Sequence, residues 1–320
     1  MHWYHWVLIG VMGFVVIPWV LSLFIAPYIV FTMLLRRTSK EKWARGPAKY
    51  LDEIGMKIYE SGMAWSRENA QYKRDVHIVN QGLNLYGEYY DFGSDKCVII
   101  LPGRREGLFG SYDFAIPYAK SGWNVLMIDP RAHGISDGEF NTVGNVEYSD
   151  NMAWANFLAT ECGIRSVVLH GVCIGSAGGL LAAIHEDCPK VICGLVTDGM
   201  FETFAKSTHY HMRKYHVPSI PGMDVWMIDW WMRHFTGYSM RRGPIHLIDQ
   251  LQLPLLMLNS REDLFSTPDQ AQRLYDKAGS ARKRLVWFEK GYHSQLRYND
   301  PQLYDTSIHD FLESLTTVSV

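Results

Sequence analysis

The chain is poor in cysteine and in net charge, and both shortages exclude classes of function. Its 320 residues include only five cysteines, and their spacing matches no metal-binding motif, so we expect neither a disulfide framework nor a metal site. We also expect no cofactor. The net charge of −2 comes without a basic patch, which argues against nucleic acid as a partner. Unpaired thiols fit a reducing compartment best.

Charge is absent altogether from residues 6–35, a run of 30 predominantly apolar residues. About 20 such residues suffice to cross a bilayer as a helix, so residues 1–35 are predicted to form an N-terminal transmembrane anchor. A signal peptide is disfavoured because the run lacks a basic leading segment and a small-residue cleavage site. The other alternative is a hydrophobic helix docked on the protein's own body.

Basic residues follow the apolar run directly, whereas residues 1–5 contain no lysine or arginine. The positive-inside rule then places the domain that follows in the cytoplasm. We therefore expect a single-pass protein of the cell membrane whose large C-terminal domain is cytoplasmic. The basic residues are Arg36, Arg37, Lys40, Lys42, Arg45 and Lys49.

The rest of the chain divides into two parts by pattern. Residues 36–75 are charged, with apolar residues at approximate helical spacing, and predict a juxtamembrane helical linker. From residue 76 onward, short apolar runs alternate with segments of helical length. This alternation is typical of the α/β class, with a mostly parallel twisted sheet and helices on both faces. A hairpin over 76–91 adds an antiparallel edge, and the other strands are predicted at 97–101, 124–128, 166–170, 191–197, 254–258 and 284–288.

One stretch, residues 200–248, interrupts this alternation within the domain of residues 76–320. It is rich in Trp and Met, and an insertion near the carboxyl ends of parallel strands is where a helical cap over a site would lie. We expect Trp226, Trp230 and Phe235 of this cap to line an apolar substrate pocket. The alternative is core packing, because Trp226, Trp230 and Trp231 also recur at helical spacing.

The most informative motif is Gly171-Val-Cys-Ile-Gly175, which lies between a predicted strand and a run of small residues suited to a helix. A strand-to-helix turn holds its central residue, here Cys173, in a strained backbone conformation. Small residues two positions before and after leave room for its Cβ. The pattern is that of a nucleophile elbow with cysteine as the nucleophile. A buried structural cysteine beside a tight turn is the competing interpretation.

A cysteine nucleophile requires a base that holds it as thiolate and a group that orients the base. Asp263 follows the predicted strand 254–258, and His293 follows the strand 284–288 at a glycine-marked turn. Both therefore fall at the sheet edge that carries Cys173, in the chain order nucleophile, acid, histidine that accompanies such an elbow. Glu262 and Asp198 are alternative acids.

The oxyanion hole is expected to consist of two backbone N–H groups. One belongs to Ile174, directly after the nucleophile, and the other to Arg104, in the loop after the strand 97–101. Gly103 lets the backbone turn in that loop. The side chains of Arg104 and Arg105 could also meet an anionic substrate group, although two exposed loop arginines are more often solvated surface.

These segments together resemble the α/β-hydrolase superfamily over about residues 76–316. The likeness is greatest to bacterial membrane-anchored hydrolases grouped with the serine-aminopeptidase-like and Bem46-like members. In that family the segment 129–138 braces the loops near the nucleophile, which implies a structural role for His133. The motifs that carry the resemblance are Leu-Pro-Gly at 101–103, Asp-Pro-Arg-Ala-His-Gly-Ile-Ser-Asp-Gly at 129–138, the elbow, and the segments 254–263 and 291–293.

Two positions depart from the family pattern. Pro102 replaces a histidine that commonly precedes the oxyanion-loop glycine, and Cys173 replaces serine, which is similar to dienelactone hydrolases and polyhydroxyalkanoate synthases. The resemblance implies a membrane-anchored hydrolase that cleaves an ester or thioester through an acyl-cysteine intermediate, with a small-molecule or lipid-like acyl substrate. An acyltransferase that uses the same intermediate, and a catalytically silent membrane-tethered binding protein, are the alternatives.

Overall fold

A computed structural model of the protein describes residues 2–39, 42–47, 52–214 and 222–316. Within these residues a single sheet forms the centre of the α/β domain. Its strands are β1 (Lys73–Asn80), β2 (Leu83–Tyr90), β3 (Lys96–Leu101), β4 (Asn124–Asp129), β5 (Ser166–Val172), β6 (Ile192–Asp198), β7 (Leu255–Ser260) and β8 (Lys283–Phe288). They are arranged in the order β1-β2-β4-β3-β5-β6-β7-β8.

The sheet is mostly parallel, as the alternating pattern predicts. Strands β3 to β8 pair in parallel, while β1 and β2 form an antiparallel edge that joins β4. The hairpin turns at Gln81 and Gly82, whose φ values of 51° and 76° are both positive, as a tight type I′ turn requires. The predicted bounds of the six parallel strands agree with the structure to within two residues.

Helices cover both faces of this sheet. Alternate residues of β3 serve the two faces: Cys97 and Ile99 pack with Trp154 on one side, whereas Val98 packs with Tyr304 on the other. The sheet therefore lies between two apolar cores. The helices are α1 (Trp3–Leu35), α2 (Glu53–Glu68), α3 (Ile116–Lys120), α4 (Glu147–Glu161), α5 (Ile174–Ala183), α6 (Phe204–Lys214), α7 (Met223–Thr236), α8 (Pro268–Lys277), α9 (Leu296–Asn299) and α10 (Pro301–Thr316).

The C-terminal part of α1 packs against the α/β domain. Phe31 and Leu35 are fully buried, and Phe31 stacks on Phe235 of α7 with ring centroids 5.6 Å apart. The indole Nε1 of Trp231 donates a hydrogen bond to the carbonyl oxygen of Phe24 at 3.1 Å. One face of this part of the apolar run is thus covered by protein.

Among the residues that the structure describes, no helix combines the length and the apolar character needed to cross a membrane. The predicted transmembrane anchor over residues 1–35 is not supported. The alternative, a hydrophobic helix docked on the protein's own body, applies to the C-terminal part of α1, because α7 offers it an apolar partner. The predicted location at the cell membrane and the predicted orientation stay predictions.

In the described part of the linker predicted over residues 36–75, α2 is the α-helix, and a short 3₁₀ helix (Ala70–Tyr72) follows it. Asp52 caps α2, since its Oδ1 accepts the N–H of Gly55 at 2.7 Å, and Trp65 is buried against the domain. Ahead of α2, Arg37 donates to the carbonyl oxygen of Gly134 at 2.7 Å. The described part of this segment is therefore attached to the α/β domain. Residues 40–41 and 48–51 lie outside the described residues.

The insertion predicted at 200–248 contains α6 and α7, which stand between β6 and β7 in the chain. Buried Asp229 of α7 accepts hydrogen bonds from Ser239 Oγ and from the N–H of Met240, both at 2.8 Å, and so fixes the loop that follows the helix. Residues 215–221 of the insertion lie outside the described part of the chain.

Candidate active site

Cys173 lies at the turn between β5 and α5. Its φ of 52° and ψ of −114° are unusual for a residue with a side chain, which is the strain expected of a nucleophile elbow. The N–H of Cys173 donates to the carbonyl oxygen of Asp198 at 2.9 Å, so the end of β6 holds the turn in place. The thiol is partly exposed and forms no disulfide, and it is therefore available for reaction.

Two glycines make this turn sterically possible. A Cβ added at Gly171 would lie 2.4 Å from the backbone of Ser176, and one added at Gly175 would lie 2.0 Å from the carbonyl oxygen of Leu101. Atoms that are not bonded to each other do not approach so closely. The elbow therefore requires glycine at both positions.

We expect Gly175→Ala to destabilise the protein by about 3 kcal/mol, because the backbone at the end of β3 would have to move. Gly46→Ala is the matched control, since a Cβ at Gly46 meets no atom within 4 Å. Thermal unfolding of the two variants measures the difference. Equal melting temperatures would contradict the steric account of the elbow.

The structure brings His293 and Asp263 together. His293 Nδ1 lies 2.7 Å from Asp263 Oδ2. The other oxygen of this buried carboxylate, Oδ1, accepts the N–H groups of Phe265 at 2.7 Å and Ser266 at 2.9 Å, which fixes its orientation. His293 Nε2 is buried and makes no hydrogen bond within the described residues. Asp263 thus holds the imidazole at Nδ1, and Nε2 is left to exchange a proton with Cys173 and the substrate.

Charge interactions with both predicted partners, Asp263 and Cys173, shift the pKa of His293. Burial lowers the pKa of His293, but the Asp263 carboxylate and the Cys173 thiolate outweigh this effect and raise the pKa well above its ordinary value. Cys173 and His293 therefore lie within electrostatic reach of each other.

Gly199 also shapes the site, although sequence reasoning missed it. A Cβ at Gly199 would lie 2.7 Å from Cε1 of His293, and the backbone φ there is +64°. Any side chain would displace the imidazole. The available signal was a glycine directly after the predicted strand 191–197 and its terminal Asp198.

The two alternative acids take other positions. Glu262 Oε2 accepts the N–H of Gly291 at 3.0 Å and so braces the loop that carries His293. Asp198 is fully buried: its Oδ2 accepts the hydroxyl of Tyr304 at 3.0 Å, and its Oδ1 has no hydrogen-bond partner among the described residues. Burial raises the pKa of Asp198 to about 7. Asp263 is therefore the acid that the geometry favours.

We expect Asp198→Asn to stabilise the protein, and to do so more at pH 8 than at pH 5. Because its folded pKa is about 7, Asp198 keeps a proton that the unfolded chain releases above about pH 4. Wild-type stability therefore falls as pH rises through this window, and asparagine avoids the loss. The melting temperature of the variant should rise by roughly 2–4 °C for each kcal/mol that it gains in free energy of unfolding over the wild type. A difference independent of pH would contradict the assignment.

Two backbone N–H groups are free to bind an oxyanion. Those of Ile174, the first residue of α5, and Arg104, in the loop after β3, donate no hydrogen bond within the described part of the chain. The helix N-terminus adds partial positive charge at Ile174. The N–H of Gly103 is occupied, because it donates to Glu106 Oε2 at 3.2 Å. Glu106, which sequence reasoning also missed, thereby fixes the loop.

Cys173 and His293 line one cavity of about 390 Å³, here termed the Cys173 cavity. Its volume suits a small acyl substrate. Among the described residues, no cluster of histidine, cysteine and carboxylate side chains could hold a metal ion. The apolar part of the wall comes from α1, from α6 and from the loop after β7, through Val30, Met33, Leu34, Phe204, Met212 and Phe265.

The predicted pocket residues Trp226, Trp230 and Phe235 do not line the Cys173 cavity. Their side chains are 51%, 41% and 39% exposed. Phe235 packs on Phe31 of α1, which accounts for its apolar character. These three residues lie away from the cavity because α7 turns its buried stripe toward α1, and it is α1 that reaches the cavity through residues such as Met33.

The segment 129–138 braces the loop after β3, as the family resemblance implies. Asp129 Oδ1 accepts the N–H of Leu108 at 2.9 Å, and Oδ2 accepts that of Ile135 at 3.1 Å. His133 is fully buried, and its Nδ1 donates to the carbonyl oxygen of Arg131 at 3.0 Å. Burial lowers the pKa of His133 to about 4, and His133 does not line the cavity that holds Cys173 and His293.

Known proteins share this architecture. Residues 224–302, which include Asp263 and His293, match the family model described as serine aminopeptidase, S33. The uncharacterized protein YqkD of Bacillus subtilis is 27% identical over 223 residues, which are 69% of this chain and 72% of that protein. A Pyrococcus furiosus esterase structure is similar with a TM-score of 0.66 at 22% identity, over 78% of this chain and 93% of that one. An α/β hydrolase from Vibrio vulnificus has a TM-score of 0.58 at 17% identity, over 92% and 93%. These matches show that the chain has the fold of the α/β hydrolases.

Proposed function

We propose that the protein is an acyl hydrolase that cleaves an ester or thioester with Cys173 as nucleophile, His293 as base and Asp263 as orienting acid. One observation carries the proposal. A thiol on a strained strand-to-helix turn shares a cavity with an imidazole whose Nδ1 lies 2.7 Å from a buried carboxylate. Nucleophile, base and orienting group in this relation are the requirements of acyl transfer to an enzyme side chain.

The reaction follows from these positions. The Cys173 thiolate attacks the substrate carbonyl carbon, and the N–H groups of Ile174 and Arg104 bind the resulting oxyanion. The intermediate collapses as the bond to the leaving group breaks, and His293 Nε2 protonates that alkoxide or thiolate. Water then attacks the acyl-cysteine thioester while His293 takes its proton. The bond between the carbonyl carbon and the sulfur then breaks, which returns Cys173 as a thiolate beside protonated His293. The products are a carboxylic acid and the alcohol or thiol that left in the first step.

The shape of the Cys173 cavity supports a small acyl group. Apolar side chains from α1, α6 and the loop after β7 line the cavity and would surround an acyl chain; Met33, Met212 and Phe265 are among them. The esterase from Pyrococcus furiosus has a similar fold, which is compatible with this substrate class.

The test is the mass of the intact protein after incubation with acyl p-nitrophenyl esters and acyl thioesters of increasing chain length. We expect an acyl adduct and product release with the wild type, neither with Cys173→Ala, and both with the control variant Cys188→Ala. Added alcohol or amine acceptors separate hydrolysis from acyl transfer. Absence of adduct and turnover in a folded wild-type protein would overturn the proposal and favour a silent binding protein.

A further inference from the structure

Arg104 places a guanidinium group in the Cys173 cavity without a partner. Its Nη1 atom is buried, and its side chain makes no hydrogen bond or ion pair within the described residues. The neighbouring Arg105 differs, because its Nη2 donates to the carbonyl oxygen of Met33 at 3.0 Å. Other buried guanidinium groups are paired: Arg131 lies 2.6 Å from Asp150.

Arg104 has the opposite charges of Glu106 and the Cys173 thiolate nearby, but among the described residues its guanidinium forms no hydrogen bond or ion pair with either. Burial and the nearby Arg105 lower the pKa of Arg104 to about 10, so the group stays charged near neutral pH. Lys42 lies close enough for both arginines to help lower its own pKa to about 8, after the larger effect of burial. Of the described residues that line the cavity, Glu106 is the only carboxylate, and it already accepts the N–H of Gly103.

A second polar group lines the same cavity. The hydroxyl oxygen of Thr208 is buried and has no hydrogen-bond partner among the described residues. Buried cations and hydroxyls without partners are costly, and a ligand that satisfies both removes the cost. A guanidinium fork and a hydroxyl that line the same cavity are donors that suit a carboxylate.

We propose that the substrate itself carries a carboxylate, which binds the Arg104 guanidinium and the Thr208 hydroxyl while the reactive carbonyl lies at Cys173. The substrate class is then a half-ester or half-thioester of a dicarboxylic acid, whose chain contacts the apolar wall. This inference rests on the proposed function and identifies the substrate class of that site.

The test compares two alkylating reagents of nearly equal size, anionic iodoacetate and neutral iodoacetamide, on the full chain. Peptide masses give the rate at Cys173 and, as an internal reference, at the partly exposed Cys188. We expect the iodoacetate-to-iodoacetamide rate ratio to be higher at Cys173 than at Cys188. A charge-assisted hydrogen bond corresponds to a change of about tenfold or more, so Arg104→Met should lower the Cys173 ratio by about that factor.

Two further variants complete the design. Arg104→Lys keeps the charge and should retain most of the ratio, whereas Arg105→Met, which removes the neighbouring guanidinium, should change it less than Arg104→Met does. An unchanged Cys188 rate shows that each variant is folded. A Cys173 ratio that is the same in the wild type and in Arg104→Met, or equal to that of Cys188, would overturn the proposal.

Hydrolysis supplies an independent measurement. We expect p-nitrophenyl half-esters of succinate and glutarate to have higher kcat/KM than the uncharged butyrate and valerate esters, with the preference lost in Arg104→Met. Turnover of the uncharged esters alone would overturn the carboxylate proposal and leave the proposed function standing. A high alkylation ratio without turnover of any ester would leave the anion site standing and contradict the proposed function.

Discussion

Replacement of Cys173 or His293 by alanine is expected to lower kcat by about 10⁵-fold or more, because each removes a group that takes part in bond making. The two groups act as a unit, with His293 held by Asp263 and charged by the presence of the thiolate. The double variant should therefore be no slower than either single variant. Steady-state kinetics on the ester that gives the acyl adduct measures all three.

The matched control is Cys188→Ala, which changes a cysteine that does not line the Cys173 cavity. Its kcat should stay within about twofold of the wild type, since surface and peripheral changes have small effects. If the losses in the two single variants multiplied in the double variant, Cys173 and His293 would act independently. The proposed triad would then be wrong.

Asp263→Asn is expected to lower kcat by about 10³- to 10⁴-fold, because an amide neither fixes the required tautomer of His293 nor stabilises its positive charge. Asp263 is the strongest of the interactions that raise the pKa of His293. Without it, burial dominates and the pKa of His293 should fall. The imidazolium would then lose its proton at lower pH, and the pH profile of kcat/KM should shift in the same direction.

The neighbouring carboxylate offers a matched control. Glu262→Gln keeps an oxygen that can accept the N–H of Gly291, so its pH profile should resemble that of the wild type. A histidine titration followed by NMR, with the His293 signal identified by its absence in His293→Ala, measures the pKa directly. An Asp263→Asn protein with wild-type kcat, or with an unchanged His293 pKa, would return Asp198 to consideration as the acid.

The strands could be predicted from the sequence because their signal is local. A buried strand of a parallel sheet is a short apolar run, and such runs at 97–101 and 166–170 lie within two residues of β3 and β5. Parallel strands also end at the same edge of the sheet, so the residues that directly follow them meet at that edge. This is why Asp263 and His293 could be assigned to the same edge as Cys173 before any distance was known.

The wall of the cavity could not be predicted in the same way. An apolar stripe on a helix shows that one face is covered, but not by what. The aromatic residues of α7 indicated a substrate pocket, yet Phe235 packs on Phe31 of α1. The apolar run of α1 indicated lipid, yet Val30 and Met33 line the Cys173 cavity. Both features depend on the contact between α1 and α7, which are about 200 residues apart in the chain, and the sequence carries no pattern for such a contact.

Because α1 forms part of the cavity wall, the attachment of α1 to the domain and the binding of substrate are coupled equilibria. Met33 supplies surface to the cavity, and its carbonyl oxygen receives the Nη2 hydrogen bond of Arg105 from the loop that also carries Arg104. A substrate that fills the cavity must therefore strengthen the attachment of α1, and by reciprocity whatever holds or releases α1 alters substrate affinity by the same factor. The attachment of the N-terminal helix and the binding of substrate are in this sense thermodynamically linked.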